Sequence, residues 1–335
     1  MHFLHNGLAS AWRRGASALL LAVAWGSAFA QPATQPWPQQ PVVLVVPSPS
    51  GAGIDLVARA LAERLASRWG QPVIVTNKPG ANSIIGTQFV VNAAPDGYTL
   101  LFTSDAPVTI NPHLYAKLPY DPLRDLVPVT QVTTFHQLLV AHRSLPARSM
   151  VGLVAAAKAS PAAFTYASFG IGSSVHLLAE LLKKETDIDL LHIPYKGLPQ
   201  AIGAVARGEA TLTFAGVYST LPHIRSGAMV PLAFASDRRS PFLPDVPTFA
   251  ELGHPTLLYT VWYGVLAPAG TPRAVVERIH GDIAAVIGER AFRDKELLAR
   301  GYAPTALAPA QFEQYIRREH AERAALVAHA RARAD

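Results

Sequence analysis

The chain has 335 residues, no cysteine, and 29 Lys and Arg against 23 Asp and Glu, a formal charge of +6. The missing thiol excludes disulfides, thiolate metal sites, a cysteine nucleophile and a lipid-anchored cysteine at the N-terminus. The modest positive excess lacks the aromatic interleaving of a nucleic-acid reader, and the twelve histidines are scattered without an H-E-x-x-H pattern, so neither nucleic acid nor a metal is expected.

The first residues carry the grammar of an export signal. Arg13 and Arg14 precede an apolar run over residues 16–25, and Ala28-Phe29-Ala30 supplies a small-x-small cleavage pattern. The run is too short for a stable bilayer anchor. Cleavage after Ala30 is therefore expected, with residues 1–30 as signal peptide and the product free in its exported compartment. Residues 31–40 are a Pro/Gln-rich lead-in.

Residues 42–46 are a continuous β-branched apolar run of strand length, which predicts a buried parallel strand. A helix follows, in which Leu56, Val57, Ala60, Leu61 and Leu65 recur at helical spacing while Arg59, Glu63 and Arg64 take the outer face. Between them lies a turn of small residues, Pro47-Ser48-Pro49-Ser50-Gly51-Ala52-Gly53. At such a helix start the unsatisfied amides and the dipole both favour an anion. The order repeats with a strand at 73–76, a turn at 77–82, a helix at 84–91, a turn at 95–97 and a strand at 98–102. Residues 111–125, punctuated by proline, read as a surface wrap.

Two apolar strands, 138–141 and 261–267, bracket a middle section with the same alternation. It holds a helix at 151–159, a strand at 164–168, a loop from Phe169 to Ser174 and a helix at 175–184. His192-Ile193-Pro194-Tyr195-Lys196-Gly197 then leads to a helix ending near Gly208 and a strand at 211–215. The result is an α/β chain with two lobes, each a mainly parallel sheet flanked by helices. Lobe 1 comprises residues 31–132 plus 256–335, lobe 2 residues 133–255, and the two bracketing strands cross between them as a hinge. Thr271-Pro272 is a good N-cap and first-turn pair for the returning helix. At the end, Arg317, Arg318, Arg323, Arg331 and Arg333 lie among Glu and Ala, the pattern of a solvated amphipathic helix.

The strand, Gly/Ser loop and helix thus recur once per lobe. If the lobes face each other, two helix N-termini point into one cleft, with hydroxyls from Ser48, Ser50, Ser168, Ser173 and Ser174 beside backbone amides. That pairing suits a small carboxylate. A secreted serine hydrolase using Ser173 or Ser174 is the rival reading. It lacks a G-x-S-x-G elbow, and Ser174 and His176, two apart on a helix, diverge. No catalytic residue is expected. Gly51-Ala52-Gly53 matches only part of a dinucleotide fingerprint, since Leu56 holds the third glycine position and Asn77-Lys78 ends the second strand where an acid belongs. Asp55 reads either as a first-turn acid complementing the helix dipole or as a ligand contact. Asp105, just past a strand's carboxyl end, is either a solvated loop acid or a cleft residue that repels a second carboxylate and favours an amine or hydroxyl. Tyr195 and Lys196 could add a hydroxyl and a cation.

These residues resemble a known family, the exported solute-binding receptors of tripartite tricarboxylate transporters, or Bug (Bordetella uptake) receptors. The resemblance rests on VPSPSGAGIDLVARALAERL, GQPVIVTNKPGANSIIG, APDGYTLLFTS, NPHLYAKLPYDPLRDLVPV, YASFGIGSSVHLLAELL, HIPYKGLPQAI, LPDVPTFAELG and WYGVLAPAGTP, which span nearly all of the chain after the signal. It implies a two-lobed, type II-like periplasmic binding-protein fold that closes on a small, usually carboxylated solute, with waters helping to bridge the carboxylate to the two loops. It also implies a monomeric periplasmic receptor without cofactor, which delivers its ligand to a membrane permease or, as the alternative, informs a signalling system. Carried over by motif, the ligand-binding residues are Ser48, Pro49, Ser50, Gly51, Ala52, Gly53 and Asp55 in the first loop. Ser168, Phe169, Gly170, Ser173, Ser174 and His176 form the second, and Asp105 and Tyr195 join them. The family's first loop usually has three glycines and a threonine before the aspartate. Here Gly51-Ala52-Gly53-Ile54 loses that hydroxyl and adds two side chains, and Asn82-Ser83-Ile84 replaces a glycine-rich turn.

Overall fold

A computed structural model describes residues 37–330 apart from 147 and 162. The expected signal peptide, its cleavage point after Ala30, and Arg331 and Arg333 lie outside the described residues. The fold set out below is that of the compact unit beginning at Gln40.

The apolar run Val42–Val46 forms β1, which pairs in parallel with β2 (Val73–Asn77) and β3 (Thr99–Ser104). Helices α1 (Gly53–Trp69) and α2 (Ile84–Val91) connect them, and α1 buries Val57, Leu61 and Leu65 on the face that the spacing predicted. The long strand β4 (Leu126–His142) follows. Then come α3 (Met150–Ala159), β5 (Thr165–Ser168), α4 (Ser174–Thr186), β6 (Leu191–Pro194), α5 (Leu198–Arg207), β7 (Leu212–Gly216), α6 (Val217–Arg225) and β8 (Met229–Phe234). The chain returns through β9 (Thr260–Pro268), α7 (Arg273–Gly288), β10 (Ala303–Leu307) and α8 (Pro309–Ala330).

The strands run in the order β2-β1-β3-β9-β4-β7-β5-β6, with β8 and β10 also on β4. Each end of the path has its second strand outermost, then its first, then its third, so the two halves share one winding around β1 and β5. The outer pairings are parallel, as the alternating pattern implies, whereas every pairing made by β4 and β9 is antiparallel. The sheet is therefore mixed where the two halves join. Over residues 126–136 β4 pairs with β9, and over 137–142 it pairs with β7 and β8, so a single strand serves both halves.

Several segments depart from the sequence reading. Residues 111–125 wrap the surface only in part: residues 116, 117, 119, 121 and 124 are exposed, but Asn111, Leu114 and Tyr120 are buried, and the Tyr120 hydroxyl donates to the Pro107 carbonyl at 3.0 Å. Four of these elements are absent from the sequence reading, β6, α6, β8 and β10. Pro222 lies inside α6 and Pro231 inside β8, and proline reads as a breaker. β8 tolerates it because β4 is its one strand partner and only Phe234, at its end, bridges to Thr248 on the other side. The terminal helix α8 is not simply solvated. Phe312 and Ile316 enter the core with Trp262 and Leu266, and Arg323 is buried while Arg317 and Arg318 are exposed.

Candidate functional site

The carboxyl ends of the strands from both halves open onto one cavity of about 790 Å3, the position at which open α/β sheets take ligands. Pro47 to Pro49 and Ala52 to Ile54 line it after β1, and Thr103 to Asp105 at the end of β3. Phe169 to Ile171 and Ser174 line it after β5, Tyr195 to Leu198 after β6, and Gly216 at the end of β7. Gln137 of β4 and Tyr263 of β9 complete the wall.

The first loop is shaped from behind by Asp55. Its buried carboxylate accepts from the Gly51 amide at 2.9 Å, Arg59 Nε at 3.0 Å and Asn77 Nδ2 at 2.8 Å. Burial alone would raise its pKa, but the bonds from Arg59, Gly51 and Asn77 together outweigh burial and hold the carboxyl below the usual range. Asp55, Ser50 and Gly51 are thus placed outside the cavity lining, while Ser48, Pro49, Ala52 and Gly53 are in it. No side chain caps α1, because the N-cap position is Ala52, so the first-turn amides beside the cavity depend on a ligand or water. The absence of a side chain at Gly53 is required by packing: a Cβ there would sit 2.5 Å from the buried Tyr302 hydroxyl. The turn at Ala81-Asn82-Ser83 keeps three successive positive φ angles without glycine, and the Ser83 hydroxyl bonded to the Pro47 carbonyl at 3.0 Å helps to hold it.

Asp55→Asn should cost about 2–3 kcal/mol of unfolding free energy, because it removes a charged acceptor from three donors. Asp55 has a lowered folded pKa, so its contribution is present above the ordinary value of 3.8 and is lost as pH falls through the lower folded value. Urea melts should accordingly show the gap between wild type and variant closing below about pH 4.

The second loop is built the same way. Ser173 caps α4 by accepting from the His176 amide at 3.2 Å, and His176 Nδ1 accepts from the Gly172 amide at 3.2 Å. Ser168 Oγ lies 2.6 Å from His192 Nε2 and accepts from the Gly170 amide at 3.1 Å. Burial depresses the pKa of both histidines, that of His192 to about 4, so both rings are neutral at neutral pH. Ser168, Ser173 and His176 therefore hold the loop from outside the cavity, whereas Phe169, Gly170 and Ser174 face it, joined by Tyr195. Neither serine of the rival hydrolase reading pairs with a histidine: Ser173 is spent on its cap, and Ser174 Oγ accepts from Gln137 Nε2 at 2.7 Å.

Asp105 lines the cavity but is not a solvated loop acid, being only 1% exposed. Its Oδ2 accepts from the Tyr259 hydroxyl at 2.7 Å, and the Arg323 guanidinium lies 3.7 Å from the centroid of the Tyr259 ring. Arg323 Nη2 donates to Glu319 Oε1 at 2.8 Å and to the Thr260 carbonyl at 3.1 Å, and Trp262 Nε1 donates to Glu319 Oε2. Burial pushes Asp105 above the carboxylate range and Glu319 up to about 7, with Arg323 opposing both shifts. Sequence reasoning singled out Asp105 but missed the partners around it, and among the cavity residues it missed are Phe135, Gln137 and Tyr263. Gln137 left one signal, a lone amide at the head of the apolar run 138–141.

Two α/β halves of one winding, joined through β4 and opening paired helix starts onto a common cavity, define a solute-binding receptor of the two-lobed periplasmic binding-protein class. The family model described as the tripartite tricarboxylate transporter family receptor matches residues 57–331, and the chain belongs to that family. It is 36% identical over 281 residues to protein BugT of Bordetella pertussis, covering 84% of this chain and 86% of the relative. An R. palustris protein solved with adipate superposes with a TM-score of 0.85 at 31% identity, over 89% of this chain and 99% of that one. MatC from Rhodopseudomonas palustris with bound malate gives 0.81 at 28% identity, over 87% and 100%. Among the described residues no helix is long and apolar enough to cross a membrane.

Proposed function

We propose that the chain is a periplasmic receptor that captures a small organic acid between its two halves and hands it to a membrane permease of the tripartite tricarboxylate type. The observation that carries this reading is the convergence of the α1 and α4 starts on one cavity whose lining contains no arginine and one lysine, Lys196. An anion there is held chiefly by fixed amide dipoles and hydroxyls. Ile54, Phe135, Phe169 and Ile171 supply apolar walls for a carbon chain, and Ile54 replaces a hydroxyl with apolar surface. The relatives solved with adipate and malate support a dicarboxylate.

In this reading the halves are lobes, residues 31–132 with 256–335 and residues 133–255, that close about β4 and the return segment near Tyr259. The ligand favours closure because it contacts both loops only in the closed state. The receptor works as a monomer, is exported by its N-terminal signal and performs no catalysis. A thermal-shift screen tests the central claim. Mono-, di- and tricarboxylates should include solutes that raise the unfolding midpoint, by an amount equivalent to about 2.7 kcal/mol at a hundredfold excess over Kd, while sugars and amines do not. Silence across the acids with a hit among neutral or cationic solutes would overturn it.

A further inference from the structure

Lys196 is the one cationic residue in the cavity lining, which holds no arginine and no histidine. Its backbone is held on both sides. The Tyr195 amide donates to the Ser168 carbonyl at 2.8 Å, and Gly197 packs so closely on the first loop that a Cβ there would lie 3.2 Å from Pro49 Cγ. The Lys196 side chain is exposed, and among the described residues no carboxylate lies within ion-pair distance of its ammonium, whereas Lys183 and Lys295 each have one. An ammonium at the cavity wall is thus open to a ligand.

The dicarboxylate reading, on which this inference rests, leaves the second carboxylate without a place. The α1 and α4 starts follow β1 and β5, and one carboxylate suffices to bridge them. Lys196 follows β6, which pairs with β5 and is the outermost strand of its half. Neighbouring strands lie about 4.8 Å apart, so the loop carrying Lys196 begins one strand spacing farther from the β4 junction than the loop before α4. A flexible four-carbon stem brings an ammonium to a group at that offset without moving the backbone. Phe169 and Ile171 line the wall after β5 and give the intervening carbons an apolar path.

We propose that Lys196 is a specificity-determining residue that pairs with the ligand's second carboxylate, the one not held at the helix starts, so that the receptor selects a dicarboxylate over a monoacid of the same length. Lys196 belongs to the second half and its neighbour Gly197 abuts Pro49 of the first, so the pair forms at the seam where the halves meet. Closure removes water from that seam, and a charge-assisted hydrogen bond is worth more there than between exposed side chains.

Calorimetry with malate, succinate, glutarate and adipate, each beside its monomethyl esters, tests this on the wild type, Lys196→Met and Lys196→Arg. An ester keeps the carbon chain and one carboxylate and removes the second charge. Wild type should prefer its best diacid to the corresponding ester by about tenfold or more. Lys196→Met should bring the two within about threefold by weakening the diacid alone, while Lys196→Arg, which keeps the charge, should retain most of the preference. Stopped-flow kinetics should place the loss in the dissociation rate, as for a contact made in the complex. A Lys196→Met variant that keeps the wild-type preference would make Lys196 a solvated surface charge. Equal losses for diacid and ester would put it on the shared carboxylate, and a loss confined to the association rate would make it a steering charge; each of these overturns the assignment. A wild type indifferent to esterification overturns it without any variant. A wild type that binds none of the four diacids would strike at the dicarboxylate reading instead, so the two failures are distinguishable.

Discussion

Arg323→Met should lower the free energy of unfolding by about 3–5 kcal/mol near neutral pH, because it removes the one cation from a buried group of two carboxyls and a tyrosine. Arg323 comes from the terminal helix, Asp105 from the end of β3, and Tyr259 and Trp262 from the chain returning to the first half. The cluster therefore ties three distant segments beneath the cavity. The pH dependence has a definite sign. Burial holds the Glu319 carboxyl at about 7 in the folded chain against an ordinary 4.5, in spite of Arg323. A group with a raised folded pKa contributes stability that is complete below its unfolded pKa and is lost as pH rises through the folded one. Without Arg323, Glu319 and Asp105 both move further up. The variant should therefore lose least at pH 5, where the carboxyls take up protons, and most at pH 8. Urea melts at those two values check the order; equal losses would mean that Arg323 acts only by packing.

That cluster also marks where sequence reading stops. Arg323 sits on a helix rich in Arg and Glu, and a charged residue four places after a glutamate looks like a surface pair. What buries it is Tyr259, 64 positions earlier, and no local pattern carries that contact. By contrast β1 with α1 and β5 with α4 are legible in full. Their apolar runs, small-residue loops and helical spacing are set within about 25 residues, and the fold uses each unit where its own chemistry predicts. The loops were legible as loops but not side by side. Asp55, Ser168, Ser173 and His176 carry the same polar chemistry as Ser48 and Ser174, and only the tertiary fold places the first group behind the loops and the second in the cavity. Gln137 is the reverse case, a residue brought to the cavity wall wholly by where two halves of a sheet meet.

Gly172→Ala should weaken ligand binding by about a hundredfold or more, a loss of roughly 2.7 kcal/mol. Two separate effects combine at this position. Its φ of +77° suits glycine, and an alanine there carries a strain of about 1–3 kcal/mol. The added Cβ would also fall inside the contact shell of Leu114 Cδ2, with Cγ at 2.9 Å. Leu114 is buried in the turn Asn111–Leu114, whereas Gly172 belongs to the loop before α4, so the clash lies between segments of the two halves. The loop cannot easily flip away, because the Gly172 amide is bonded to His176 Nδ1. Relief must then come from backing the loop off Leu114, which draws Phe169, Ile171 and Ser174 away from the first loop and keeps the cavity from closing on its ligand. Gly170→Ala separates the two effects: its φ is +126° but its Cβ would meet nothing within 4 Å, so it should show strain without the block. Leu114→Ala should cost stability alone, as a buried truncation does, yet combined with Gly172→Ala it should restore a large part of the lost affinity. A favourable coupling energy from that cycle, measured by calorimetry, is the expected result. Affinities that merely add would place the Leu114 contact outside the closing motion and leave backbone strain as the whole effect.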